Sequence, residues 1–500
     1  MSAVAALRLH PHDDVAVAVV ALAPGAALPG GGHAAEAIPA GHKVALHPLA
    51  AGSVVRKYGQ AIGATTQAVA AGAWVHVHNL GLGDAAPRLP GGGTATAPVP
   101  VTPRTFEGYL RADGRGATRN YLAVVTSVNC SAHVARAVAR RAEDRLHEFP
   151  GIDGVVPITH ASGCALDGRG AAIDVLRRTL AGYARHANFA GVLMLGLGCE
   201  TNQLPDLLAA EGLRESDTLG ATTIQGEGGT AATIAAGLER ILAMAAAATG
   251  VKRVPMPLSH LTLGLQCGGS DGYSGITANP ALGAAVDRLV AHGGAAILSE
   301  TPEIYGAEHL LTCRATPVVA DALMARIAWW EAHVAATGGS MDNNPSAGNK
   351  AGGLTTILEK SLGAVAKAGS TPLNAVYGYA EPVTARGLSF MDTPGYDPVA
   401  ATGQVAGGAN LIAFTTGRGS VFGCRPAPSL KLATNSDLFR RMAGDMDIDC
   451  GRILGGMSID AMGEEIFEAL VATASGRLTK SEELGIGDDE IQPWRLGATM

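Results

Sequence analysis

The feature that most restricts the fold is a unit that begins near Tyr109 and repeats: an apolar strand-like segment, a polar or glycine-bearing loop, then a stretch with helical periodicity. YLAVVTSVNC leads into SAHVARAVARRAEDRL, GVVPITHASGC into AAIDVLRRTLAGYA, and GVLMLGLGCETNQ into LPDLLAAEGL. Such alternation implies βαβ units, hence parallel sheets with helices laid on their faces. Cys130, Cys164, Cys199 and Cys267 each close a strand-like segment, at intervals of 34, 35 and 68 residues, one or two units apart. In open parallel sheets ligands bind outside the carboxyl ends of the strands, so four thiols placed there are candidates to share a crevice. Any one of them alone is equally well a small residue packed beneath a loop.

Upstream the pattern is different. From Leu7 to Leu80, short alternating segments such as VAVAVVAL, HKVALHPL and AWVHVHNL are separated by Gly and Pro, which reads as a small all-β module. A stretch rich in Gly, Pro, Thr and Ala follows, without periodicity. A further break falls at AAAATGVKRVPMP. The expected organisation is therefore α/β: a β-rich domain over 1–82, a linker over 83–106, and two Rossmann-like parallel-sheet domains over 107–250 and 251–500. A length of 500 residues accommodates three such domains.

With 37 basic and 44 acidic residues the net charge is −7, which argues against nucleic acid or an anionic membrane surface as partner. Small molecules and further copies of the chain are the expected partners. The N-terminal apolar run is broken by His10, His12, Asp13 and Asp14, unlike a secretory signal, and the seven cysteines are odd in number. Reduced thiols and a cytoplasmic location are expected.

CxxC, HExxH and Walker A patterns are missing, which removes zinc-finger, zincin and P-loop readings. In WVHVHNL, His76 and His78 stand two apart on an expected strand, which points both side chains to one face about 7 Å apart. Facing a cleft they suit a divalent metal or proton transfer; facing solvent they are ordinary polar alternation. His42, beside a glycine in IPAGHKVAL, is a further candidate. MDNNPSAGNKAGG brings Asn349 and Lys350 together just before a helix, a density of amides and charge that suits polyhydroxylated or carboxylate ligands, or simply an N-cap and its turn. Arg418, between two glycines in TTGRGS, can fork onto a carboxylate or sit in a surface turn.

Taken together, GYLRADGRGATRNYLAVVTSVNC, GLGCETNQ, LGLQCGGSDGYSGITANPALG, DNNPSAGNKAGGLTTILEKSLGA and TTGRGSVFG resemble the altronate and galactarate dehydratase family of sugar-acid dehydratases. IPAGHKVAL, VRKYGQAIG and WVHVHNL look like the family's N-terminal SAF domain. The resemblance implies removal of water from an aldonate or aldarate to give a 2-keto-3-deoxy acid, with Fe²⁺, Mn²⁺ or another divalent ion, and a dimeric enzyme. The layout is most like that of altronate dehydratases; galactarate is the alternative substrate, and elimination of sulfite is known among more distant relatives.

Deprotonation next to a carboxylate needs a stabilised enediolate, which a chelated divalent ion provides, together with a base at C2 and help for the departing C3 hydroxyl. On this expectation the metal lies among His42, His76, Cys130, Cys199 and Cys267, while Arg119, Asn129, Ser270, Asp271, Asn349 and Arg418 bind substrate. His76, His42 and Lys350 are the catalytic candidates. An iron–sulfur cluster on three thiolates is the alternative cofactor. A sugar-acid binding protein without catalysis is the alternative of another class. Glycine, 67 of 500 residues against a usual share of about 7%, concentrates partly in LGLGCE, LQCGGSDG, KAGG and TGRGS, where backbone can approach a ligand closely.

Overall fold

The computed structural model describes residues 5–83, 99 and 101–499, so most of the expected linker lies outside the described residues. Alternation in the N-terminal segment produces short antiparallel strands, as expected. Ala6–Leu7, Val15–Ala18, Lys43–Ala45 and Trp74–Val75 form one sheet, and Val54–Lys57, Gln60–Thr65 and Leu80–Gly81 a second. The expected strand through both histidines stops at Val75, because Asn79 accepts from the His76 N–H at 2.9 Å and donates to the Trp74 carbonyl at 2.8 Å, closing a turn. His76 is therefore buried and stacked on Trp74, whereas His78 is exposed, and the two do not share a strand face.

The chain enters and leaves the middle region side by side. Thr105–Leu110 pairs antiparallel with Val254–Pro257. Between them lies a four-stranded parallel sheet with spatial order Gly154–Ile158, Tyr121–Thr126, Phe189–Gly196, Leu219–Thr223. The helix Thr230–Ala248 is long and apolar enough by composition to cross a membrane, but it buries Ile234, Gly237, Ile241 and Met244 against this sheet.

The C-terminal region holds a seven-stranded parallel sheet in the order Leu373–Tyr377, Gly387–Met391, Ala295–Leu298, Thr262–Cys267, Leu411–Thr416, Ser429–Ala433, Ile448–Asp449. Its inner strands Thr262–Cys267, Leu411–Thr416 and Ser429–Ala433 are buried at every position, as in sheets covered on both faces. Thr262–Cys267, first in sequence, is central: the chain builds outward on one side, then returns to build on the other. That reversal opens a crevice at the carboxyl end of Thr262–Cys267, the position at which ligands bind in such sheets.

The regions share cores and buried ion pairs. One apolar cluster joins Val15, Val55 and Val75 to Leu263, Leu282 and Leu362. Glu359, on the helix Ile357–Val365, accepts from Lys43 at 2.8 Å and Lys57 at 2.9 Å, all three side chains buried.

Candidate functional site

Cys267 ends the central strand inside the crevice. The neighbouring strand Ala295–Leu298 delivers Glu300 and Glu303 to the same place, Glu300 through a left-handed backbone with φ of +69°. A non-glycine residue held there costs on the order of 1–3 kcal/mol, a strain that accumulates at functional sites. Cys267, Glu300 and Glu303 are buried, and their donor atoms all lie within 4.8 Å of one another, the one such group among the described residues. Two ammonium groups face them: Lys367 Nζ is 2.9 Å from Cys267 Sγ and 3.7 Å from Glu300, and Lys360 Nζ is 2.5 Å from Glu303.

Their ionisation follows from these contacts. Burial pushes the Cys267 thiol up to about 12, against the opposing pull of Lys367. Burial and the charge of Glu303 hold the Glu300 carboxyl well above its ordinary range. Burial acts the same way on Glu303, but Lys360 and Lys367 outweigh it and keep this carboxyl below its ordinary range. Two neighbouring carboxyls are thus driven apart. Glu300 Oε1 is buried without a hydrogen-bond partner. A buried acceptor of this kind, beside a thiol and a second carboxylate, fits the coordination needs of a divalent first-row ion.

In front of this group lies a cleft of about 550 Å³, lined among others by Cys267, Glu303, Asn349, Lys360, Asp397 and Arg418. Asp397 opens the helix Asp397–Ala406, and its carboxyl is raised by burial and then by Glu303. A Cβ on Gly268 would stand 2.2 Å from Asp397 Oδ2, so the glycine of LQCGG is what admits this carboxylate to the cleft floor.

The expected site residues are distributed as follows. Asn349 and Arg418 reach the cleft; Asn349 also completes a capping box with Ser346 and donates to the Ser270 carbonyl at 3.0 Å. Asp271 is buried and accepts from Ser274, Thr434 and Asn435 side chains and the Tyr273 N–H, so its oxygens shape the loop. Lys350 is half-buried and outside the cleft lining.

Arg119 departs from its expected role. All five of its donors are used, on Glu482 twice and on the carbonyls of Thr118, Thr473 and Arg477, because it ties the middle region to the C-terminal helices.

The expected metal set does not converge either. His42 and His76 meet each other, with ring centroids 4.8 Å apart, and His42 Nε2 lies 3.3 Å from the carbonyl of Ala351, the last residue of the short helix Ala347–Ala351 that carries Asn349. Cys130 and Cys199, with Asn129, lie at the carboxyl edge of the four-stranded sheet. Parallel strands carry their carboxyl ends to one edge, but the chain builds two sheets, so its thiols divide between two edges. Glu300, Glu303, Lys360, Lys367 and Asp397 were not singled out from sequence; Glu300, closing the strand-like AAILSE, carried the same strand-end signal as the cysteines.

Three family models match the chain in order. The altronate/galactarate dehydratase SAF domain matches 4–82, the second domain of D-galactarate dehydratase/altronate hydrolase 108–249, and the D-galactarate/altronate dehydratase C-terminal model 258–499. The chain is 35% identical to an altronate dehydratase of Escherichia coli K12 and 33% identical to one of Bacillus subtilis 168, in both cases over 99% of each chain. It is 36% identical to an L-threo-forming galactarate dehydratase of E. coli K12, covering 96% of this chain and 95% of that one.

Proposed function

Because the chain belongs to the altronate/galactarate dehydratase family, we propose that it is a hydro-lyase that removes water from a sugar acid and releases a 2-keto-3-deoxy acid. D-Altronate is the first candidate substrate and galactarate the second. The observation that carries the reading is the cleft at the sheet's reversal point, where a three-donor metal group, a raised carboxyl and an ammonium meet.

Cys267, Glu300 and Glu303 would hold Fe²⁺ or a similar divalent ion. When bound, that ion supplies electrostatic stabilisation to the enediolate formed from the substrate carboxylate. Arg418 forks onto that carboxylate, and Asn349 meets the hydroxyls of the polyol chain. Asp397 takes the proton from C2; its raised affinity for protons makes it a better base than an ordinary carboxylate. Lys360, held protonated by Glu303 against the cost of burial, gives a proton to the hydroxyl leaving C3, so that water departs. The enol then gains a proton at C3 and becomes the keto acid, and the proton on Asp397 returns to Lys360 through solvent. His42 acts at one remove, by holding the end of the helix that carries Asn349.

We also read the two parallel sheets as Rossmann-like domains over 107–250 and 251–500, each of which starts at its centre and turns back past its first strand. A homodimer and a cytoplasmic location complete the reading; relatives that are bacterial metabolic enzymes support the location.

The test is incubation in D₂O with D-altronate and with galactarate, anaerobically with Fe²⁺, followed by NMR. The expected product is a 2-keto-3-deoxy acid carrying deuterium at C3. Unchanged acids throughout the panel would refute the assignment.

A further inference from the structure

The four-stranded sheet has a reversal point of its own. Tyr121–Thr126 comes first in sequence and lies inside the sheet, with Gly154–Ile158 on one side and Phe189–Gly196 on the other. A ligand crevice is expected at the carboxyl ends of these strands. The three loops that leave them carry Cys130, Cys164 and Cys199, and all three thiols are free and exposed. Adjacent strands are about 4.8 Å apart, so three neighbouring ends fit within about 10 Å.

The loops are tied to one another. Asn129 N–H donates to the Ser162 carbonyl at 2.9 Å, Asn202 N–H to the Gly163 carbonyl at 3.0 Å, and Asn202 Nδ2 to the Ser127 carbonyl at 3.1 Å. The buried Glu200 carboxylate accepts from Ser127 Oγ and from the Leu197 and Gly198 N–H groups, joining the Cys199 turn to the loop that leads to Cys130. Gly163, at φ of +100°, lies so close to that loop that a Cβ would stand 2.3 Å from the Ser127 carbonyl oxygen. Glycine just before Cys164 is what allows this approach.

We infer that Cys130, Cys164 and Cys199 hold a cubane iron–sulfur cluster through three thiolates, a site separate from the Cys267 group. Three soft thiolates with no carboxylate or imidazole among them suit such a cluster. The three sulfurs are not all within 4.8 Å of one another, so they do not form a single-ion group. The remaining four cysteines all belong to the C-terminal region. The fourth iron would instead take an oxygen ligand from solution; a cleft of about 520 Å³ adjoins the loops at Asn129, next to Cys130, and at Ser162, two residues before Cys164.

The inference stands apart from the dehydratase reading, and its test reads sulfide rather than turnover. Full-length protein is purified anaerobically and reconstituted with ferrous iron and sulfide; iron, acid-labile sulfide and visible absorption are then measured. The expected result is about four sulfides and about five irons per chain, the fifth iron belonging to the Cys267 group, with a broad brown absorption. Cys130→Ser, Cys164→Ser and Cys199→Ser should each lose most of the sulfide, while Cys267→Ser and Cys313→Ser keep it; thermal melting shows that each variant is folded. Iron bound without sulfide in the parent protein would overturn the proposal. So would full sulfide retention in any of the three variants.

Discussion

Glu359 and Lys360 are adjacent on one helix, about 100° apart around its axis, and reach different neighbours: Glu359 binds the SAF ammonium groups of Lys43 and Lys57, and Lys360 reaches Glu303 at the cleft. The seam between the N-terminal domain and the C-terminal sheet is thereby coupled to the position of Lys360. Glu359→Gln would leave two buried lysines facing a neutral amide. A loss of about 3–5 kcal/mol is expected, read as a lower Tm, together with a fall in kcat as Lys360 shifts.

Stability should decline in mild acid. Burial holds His76, His160 and His186 down to about 4, against an ordinary value near 6.5. His160 Nδ1 accepts from the Ser162 N–H while Nε2 donates to the Thr126 carbonyl, so protonation would set two donors against each other. Between these values the unfolded chain binds more protons than the folded one. The stabilisation is therefore complete above pH 6.5 and is lost as pH falls toward 4. Glu359, depressed by its two lysines against the cost of burial, adds a further loss below the ordinary carboxylate range. A Tm series from pH 7.5 to 4 checks the sign; a flat profile would contradict it.

Metal loading should release protons. Burial keeps the Cys267 thiol protonated, with its value pushed up to about 12, and holds Glu300 well above its ordinary range, yet both must ionise to bind a cation. Calorimetry of Fe²⁺ or Mn²⁺ binding in buffers of different ionisation enthalpy should show at least about one proton released per ion, with affinity rising as pH rises. Cys267→Ser and Glu303→Gln should weaken binding. Proton-neutral binding would contradict the ligand set.

Arg418→Ala should act on substrate capture. Loss of a charged hydrogen bond to the carboxylate, worth about 1.5–3 kcal/mol, corresponds to a KM higher by about tenfold to a hundredfold, with a smaller change in kcat. Steady-state kinetics on the preferred acid measure this, and an unchanged KM would remove Arg418 from the site.

Much of the architecture was legible in the sequence, since periodicity and strand-end cysteines report local geometry. Cys267, Asn349 and Arg418 do meet at one crevice: Cys267 closes a strand, Arg418 follows the neighbouring one, and Asn349 sits in the short helix Ala347–Ala351. The partners of Arg119 were not legible: Glu482 lies 363 residues away, and nothing local marks the pairing. His76 and His78 failed as a pair because one asparagine, Asn79, turned the strand after Val75. Lys360 and Asp397 are residue types usually found on solvated helix faces, and only the close fit against Glu303 and Gly268 distinguishes them.

The most direct test of catalysis in the Cys267 cleft is kcat for keto-acid release by Asp397→Asn beside the parent enzyme, with ligand binding followed by thermal shift. The expected result is a fall in kcat of about 10² or more while the ligand-induced shift persists, as loss of a general base requires. A kcat within about twofold of the parent value would contradict the assignment of C2 deprotonation to this carboxylate and to this cleft.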